Sequence, residues 1–290
     1  MECMNPLRTA CQGLSSASDA EEFLAIDWSR PWLSCLASAG RTMAERIAKG
    51  MPVYLALNHR LPSALSDHGW QFVDQLQLPV GQAYEAFIHS RRCIPTRDNL
   101  HDFFNGLIWL HWPLLKQRLN ALQAAEIARQ GVGAQRGRLR DSITVLDENG
   151  GLLLAPQALC DALRDKRWQE LFVGRRALWE QARFLPIGHA LLEKLVQPRK
   201  AITAHVICVP TQQAPCLASP AEADGWLCEQ LRTQSCNLAD KPYLPIPILG
   251  IPDWCLQNQN FSFYDDSLVF RAPRTVQTTQ QRVPPERELA

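Results

Sequence analysis

The chain has 290 residues, of which 46% are hydrophobic and 20% charged, and nine are tryptophan. That composition can bury a substantial core and excludes a disordered chain. Thirty Lys and Arg against 29 Asp and Glu leave a formal net charge of +1, which gives no overall attraction to nucleic acid or anionic lipid.

The first 17 residues, rich in Ser and Ala, read as a flexible tail. Ser18 or Asp19 can cap a helix in SDAEEFLAI, and CLASAGRTMAERIAKG reads as a helix ending at Gly50. PVYLAL (52–57) is β-branched and aromatic and predicts a short strand, and GQAYEAFIHSRR (81–92) predicts a helix. Asp98 or Asn99 can cap a helix running to His111; Pro113 breaks it and opens a second helix that Gly131 ends. SITVLDENGGLLLA (142–155) alternates around Asn149-Gly150-Gly151 and predicts a β-hairpin. Helical patterns follow in PQALCDALRDKRWQELF, RRALWEQARF and GHALLEKLV, and AITAHVICVP (201–210) predicts a strand. A helix is expected over roughly 219–235, and the proline-broken KPYLPIPILGIPDW cannot form a regular central strand. Beyond Arg271 there is almost nothing to bury, so 272–290 reads as a disordered tail. The expectation is an α+β fold: one mostly helical domain over 18–271 with a small mixed or antiparallel sheet containing the 142–155 hairpin.

Ten cysteines are irregularly spaced, no pair reads C-x-x-C, and the opening residues lack the apolar core of a secretory signal. They read as reduced thiols of a cytoplasmic protein, without a zinc ribbon. The most apolar run, FFNGLIWLHWPLL, is shorter than the roughly 20 residues of a spanning helix and carries Asn105 and His111, so no transmembrane segment is expected.

Several blocks occur in an ordered series: LPVGQAYEAFIHSRRCIPTRDNLHDFFNGLIWLHWPLLKQRLNALQ, RGRLRDSITVLDENGG, GHALLEK, TAH, PIPILGIPDW and FYDDSLVFR. Together, over about residues 70–271, they resemble the domain-of-unknown-function 3025 family. The resemblance implies a bacterial, cytoplasmic protein with one family domain. It brings no reaction, cofactor or catalytic residue with it.

Chemistry therefore has to be read from the residues. In TRDNLHDFFNGLIWLHW (96–112), His101 and Asn105 stand four apart on a helix, near one face with Trp112 and with Asp102 adjacent. Capping explains Asp98, Asn99 and Asp102, but not His101 or Asn105, which call for a polar network or a pocket. His101, Asp102 and Asn105 are the candidate catalytic residues. GHALLEK places His189 and Glu193 at i and i+4, a spacing that suits one metal or a carboxylate orienting an imidazole; the local alternative is a surface pair. With the strand residue His205 they form the candidate ligand set for a divalent metal. Asp147 and Glu148 read first as turn residues of DENGG.

GVGAQRG follows a helix and is not the dinucleotide fingerprint, so no dinucleotide is expected. Arg136, Arg138, Arg140 and the GRR at 174–176 are better read as solvated charges than as a nucleic-acid surface. No nucleophile elbow is present, and Cys208 points away from His205 on the strand. Two readings follow: a hydrolase-like enzyme with a His/Asp/Glu pocket, metal-dependent or using histidine as general base, and a non-catalytic module that binds a small molecule or a protein around a structural polar network.

Overall fold

A computed structural model describes residues 17–131, 137–214, 217, 219–233 and 236–273. The tails expected at 1–17 and 272–290 lie outside the described residues except at 17, 272 and 273, and so does Arg136 of the arginine loop. The fold is α+β, as expected.

Four helices open the described chain: α1 (Ala17–Leu24), α2 (Ala37–Ala48), α3 (Val53–Asn58) and α4 (Ser63–Ser66). A two-stranded parallel sheet of β1 (Gln71–Asp74) and β2 (Cys93–Thr96) flanks α5 (Tyr84–Arg91). The long helices follow: α6 (Leu100–His111), α7 (Pro113–Gln130) and α8 (Arg138–Asn149). The second sheet contains β3 (Gly150–Ala155), β4 (Arg183–Pro186), β5 (Thr203–Pro210) and β6 (Leu244–Pro247), with α9 (Gln157–Arg164), α10 (His189–Lys194) and α11 (Pro220–Arg232) in its connections. Its order is β4-β3-β5-β6, with β3 and β5 parallel and both outer pairs antiparallel. β3 is buried along its whole length, which suits the apolar run LLLA of a central strand. β6 carries Pro245 and Pro247 and occupies an edge, where missing donors are tolerated.

Two expected elements differ. PVYLAL is helical, not a strand. Asp98, 45 residues away, accepts the Val53 N–H at 2.7 Å and so caps α3, while Val53, Ala56 and Leu57 bury at helical spacing. Asn58 then accepts the Phe72 N–H (2.9 Å) and donates to the Phe72 carbonyl (2.8 Å), docking α3 on β1. A tertiary cap thus overrides local β propensity.

The 142–155 hairpin is also absent. Residues 142–149 belong to α8, and β3 begins at Gly150 without a turn. The alternation of SITVL misled, because Ser142, Ile143 and Leu146 are buried at helical spacing and Ser142 bonds the Tyr243 hydroxyl at 3.0 Å.

The buried apolar side chains form one connected core that joins α6, α7 and α8 to the four-stranded sheet. Asn99 caps α6 by accepting the Asp102 N–H at 2.8 Å, and Gly131 closes α7 at φ 71°. Asp224 on α11 accepts the N–H groups of Leu114 and Leu115, each at 2.8 Å, and so caps α7 from another helix. Trp112 Nε1 donates to the Pro186 carbonyl at 2.8 Å, tying the end of α6 to β4 just before α10 begins. Among the described residues, no helix is long and apolar enough to cross a membrane.

His111, at the end of α6, has a buried Nε2 with no hydrogen-bond partner among the described residues. Burial, helped by the positive Arg183, pushes its imidazole down to about 4. The unfolded chain takes up a proton on this residue below its ordinary pKa of 6.5, whereas the folded chain does not until about pH 4. His111 therefore removes stability as pH falls from 6.5 towards 4, by up to about 1.4 kcal/mol per pH unit. Urea unfolding of wild type and His111→Gln between pH 7 and pH 5 checks this: the variant should lose less stability over that interval, and parallel curves would refute the assignment.

Candidate functional site

One cavity of about 350 Å³ lies between α5, α6, α7, α8 and the start of α10. His101, Asp102 and Asn105 all line it, as do Tyr84, Glu85, Lys116, Asn120, Asp147, Glu148 and His189.

The geometry begins at two glycines. Ile187 and Gly188 both donate to the Gly150 carbonyl, at 3.1 and 2.8 Å. A Cβ on Gly188 would stand 2.5 Å from the Gly150 nitrogen and 2.6 Å from Asn149 Cα. Position 188 has no room for a side chain against this backbone, and a Cβ on Gly150 would strike the Leu146 carbonyl at 2.3 Å. The contact sets the first residue of α10, His189, beside Asp147 and Glu148 in the last turn of α8.

His189 is 4% exposed. Its Nε2 lies 3.1 Å from His101 Nε2 and 3.7 Å from the Glu148 carboxylate. The ligand atoms of His101, Glu148 and His189 all fall within 4.8 Å of one another. Donors bound to zinc at 2.0–2.1 Å in a tetrahedron stand about 3.3 Å apart, so the observed spacings bracket that edge. On its outer side His101 Nδ1 meets the Glu193 carboxylate at 2.7 Å. A carboxylate on the far nitrogen of an imidazole fixes the tautomer that leaves Nε2 free as a ligand. Burial pushes the His189 imidazole down to about 4, against the pull of Asp147, so it is neutral near pH 7.

The expected metal set is therefore regrouped. His189 stays, but Glu193 turns to His101 instead of sharing an ion with His189 along one helix. His205 is not brought to the cavity: it is the third residue of β5, between Gly150 and Pro245 in the register, and its buried Nδ1 has no hydrogen-bond partner among the described residues. Glu148, not His205, joins His101 and His189 in the group whose atoms could hold an ion. As part of a turn it seemed explained; as the end of a helix it faces the histidines. Asp102, the other candidate, accepts the Arg97 backbone N–H at 2.7 Å and pairs with the Arg97 guanidinium at 2.8 Å.

Beside the histidines lies a buried ion pair. Lys116, 5% exposed, bonds the Asp147 carboxylate and donates to Asn105 Oδ1 at 2.9 Å. Asn105 Nδ2 donates to the Tyr84 hydroxyl at 3.4 Å, which in turn donates to the Pro95 carbonyl at 3.2 Å. The network Asn105 requires is thus present. Burial acts to raise the Asp147 carboxyl, but Lys116 and the histidines outweigh it and hold it below the usual carboxylate range. Burial and the nearby Asp147 raise Glu148. Sequence reasoning missed Lys116 and Glu85. Lys116, Asn120 and Gln123 repeat at helical spacing, a polar stripe on the buried side of α7 that the sequence does carry.

The chain matches the family described as protein of unknown function (DUF3025) over residues 70–274, and it belongs to that family. Every cavity-lining residue lies within the matched span. No curated protein and no solved structure matches the chain.

The Lys116–Asp147 pair predicts a clear asymmetry. Lys116→Met alone leaves a buried carboxylate without its cation and should cost about 3–5 kcal/mol, whereas Lys116→Met with Asp147→Leu should regain most of that loss. Chemical denaturation of the two variants measures it. Equal losses in both would show that the pair does not act as a unit.

Proposed function

We propose that the cavity is the active site of a metal-dependent hydrolase, with one divalent ion held by His101, His189 and Glu148. The observation that carries this reading is the convergence of two imidazole nitrogens 3.1 Å apart with a carboxylate 3.7 Å from one of them, backed by Glu193 on the outer nitrogen of His101. Three protein ligands leave a fourth position for water, as in catalytic zinc sites. A bound ion would acidify such a water towards neutral pH and so would supply a nucleophile there.

The chain's own residues would supply the rest. Glu193 holds His101 in register. Lys116, fixed by Asp147 and Asn105, presents a cation to the same cavity and suits the stabilisation of negative charge that develops on an acyl or phosphoryl oxygen. Asp102 fixes Arg97 at the wall, where the guanidinium can meet an anionic part of the substrate.

A second reading has its own observation. The 3.1 Å contact also fits a hydrogen bond from His189 Nε2–H to His101 Nε2, which leaves His189 Nδ1 as an acceptor; that atom has no hydrogen-bond donor among the described residues, and the Asp147 carboxylate stands 3.8 Å away. Glu193, His101 and His189 would then form a metal-free chain with a histidine as general base.

Untagged protein purified without chelator separates the two. The metal reading predicts about one equivalent of zinc, manganese or iron by elemental analysis and a fall in Tm on chelation that the ion reverses. His189→Ala and Glu148→Gln should each weaken zinc binding at least tenfold in calorimetry, whereas His205→Ala should leave it unchanged. A metal-free protein whose Tm does not respond to divalent ions would leave the histidine-base reading.

A further inference from the structure

Besides the three residues proposed to hold the ion, the cavity has between α5 and α7 a polar group that the catalytic reading does not use. Asn120 is 2% exposed. Its Nδ2 donates to the Glu85 backbone carbonyl at 2.9 Å and to the Glu85 carboxylate at 2.6 Å. Two acceptors on one side decide which end of the amide is nitrogen, so Oδ1 is the acceptor turned away from them. That oxygen is buried and has no partner among the described residues. An amide oxygen can only accept, so the missing partner is a donor.

The charges agree with this. Four carboxyl groups line the cavity (Glu85, Asp102, Asp147 and Glu148) against two cations, Arg97 and Lys116. Arg97 is paired with Asp102 and Lys116 with Asp147. Glu85 is left with no ion-pair partner among the described residues; Asn120 is its hydrogen-bond donor. Burial, and then the negative Asp147, raise its carboxyl, while Asn120, Lys116 and Arg140 work the other way. Protonated or ionised, Glu85 retains an oxygen able to accept from a ligand.

We propose that Glu85 and Asn120 form a subsite for a nitrogen group bearing N–H, an amide or a protonated amine, on the molecule that the metal end hydrolyses. The identification of that molecule as a substrate rests on the hydrolase reading; the subsite itself does not. Along α7, Asn120 stands four residues and Gln123, also lining the cavity, seven residues beyond Lys116, which is about 6 and 10 Å of helix. The favoured substrate thus carries its N–H group one to two helical turns from the bond that is cleaved. Gln123 offers a donor and an acceptor at the far end of that span and suits an extended amide.

Fragments test the subsite directly on the full-length protein. Selective 15N-asparagine labelling reports the Asn120 side-chain amide, assigned by its loss in Asn120→Ser or Asn120→Asp. Chelator-treated protein is titrated with n-butylamine hydrochloride, butyramide, N,N-dimethylbutyramide and butanol. The Asn120 signals should move saturably with butylamine or butyramide, and at least tenfold less at the same concentration with N,N-dimethylbutyramide. The amine and amide arms distinguish the two sources of N–H. In Glu85→Gln the amine response should fall about tenfold, while a response to butyramide should persist. Equal responses to butyramide and its dimethyl analogue, or none to any fragment, would overturn the proposal. Because metal is absent throughout, that failure leaves the zinc measurements intact, and a failure of zinc binding leaves this titration intact.

Discussion

The arrangement depends on one backbone contact. Gly188 lies against Asn149 and Gly150 with no room for a Cβ, and both Ile187 and Gly188 donate to the Gly150 carbonyl. This contact joins the end of α8, the start of β3 and the start of α10 at one point. Glu148 and His189 are the residues that flank it, so the main chain brings their side chains to the same place. The Trp112 bond to the Pro186 carbonyl ties α6 into the same corner, and with α6 comes His101. Glu148 and His189 thus stand next to a main-chain contact, whereas the helix that carries His101 is tied to β4 by the Trp112 indole.

The second constraint is electrostatic. Four carboxyl groups and two cations in a largely buried cavity would be costly if left unpaired. The fold answers with matched pairs, Arg97 with Asp102 and Lys116 with Asp147, and with the amides of Asn105 and Asn120 as donors or acceptors between them. Beside these pairs the two imidazoles meet each other next to Glu148, and Asn120 Oδ1 has no donor among the described residues. A buried acceptor without a donor is rare in a purely structural network.

Much of this was legible in the sequence. The ends of α6 and α7 followed from Asn99, Pro113 and Gly131, whose effects are local. His101 and Asn105 stood out because capping could not explain them, and both line the cavity. Where the sequence misled, the cause was tertiary. Asp98 caps α3 from 45 residues away and turns a β-like segment into a helix. α8 takes residues that alternate like a strand because Ile143 and Leu146 find the core at helical spacing. That helix is also why Glu148 was read as a turn residue, and why Glu193, assigned to His189 by its i+4 spacing, turns instead to His101 on another helix. His205 shared a strand pattern with buried residues but no path to the cavity.

The most direct test of the account is anomalous diffraction at the zinc edge from crystals of the zinc-loaded protein. The account predicts one strong peak bonded to His101 Nε2, His189 Nε2 and a Glu148 carboxylate oxygen, with Glu193 still on His101 Nδ1. A peak held by other residues would contradict it, as would zinc-soaked crystals in which the two imidazoles remain hydrogen-bonded to each other with no ion between them.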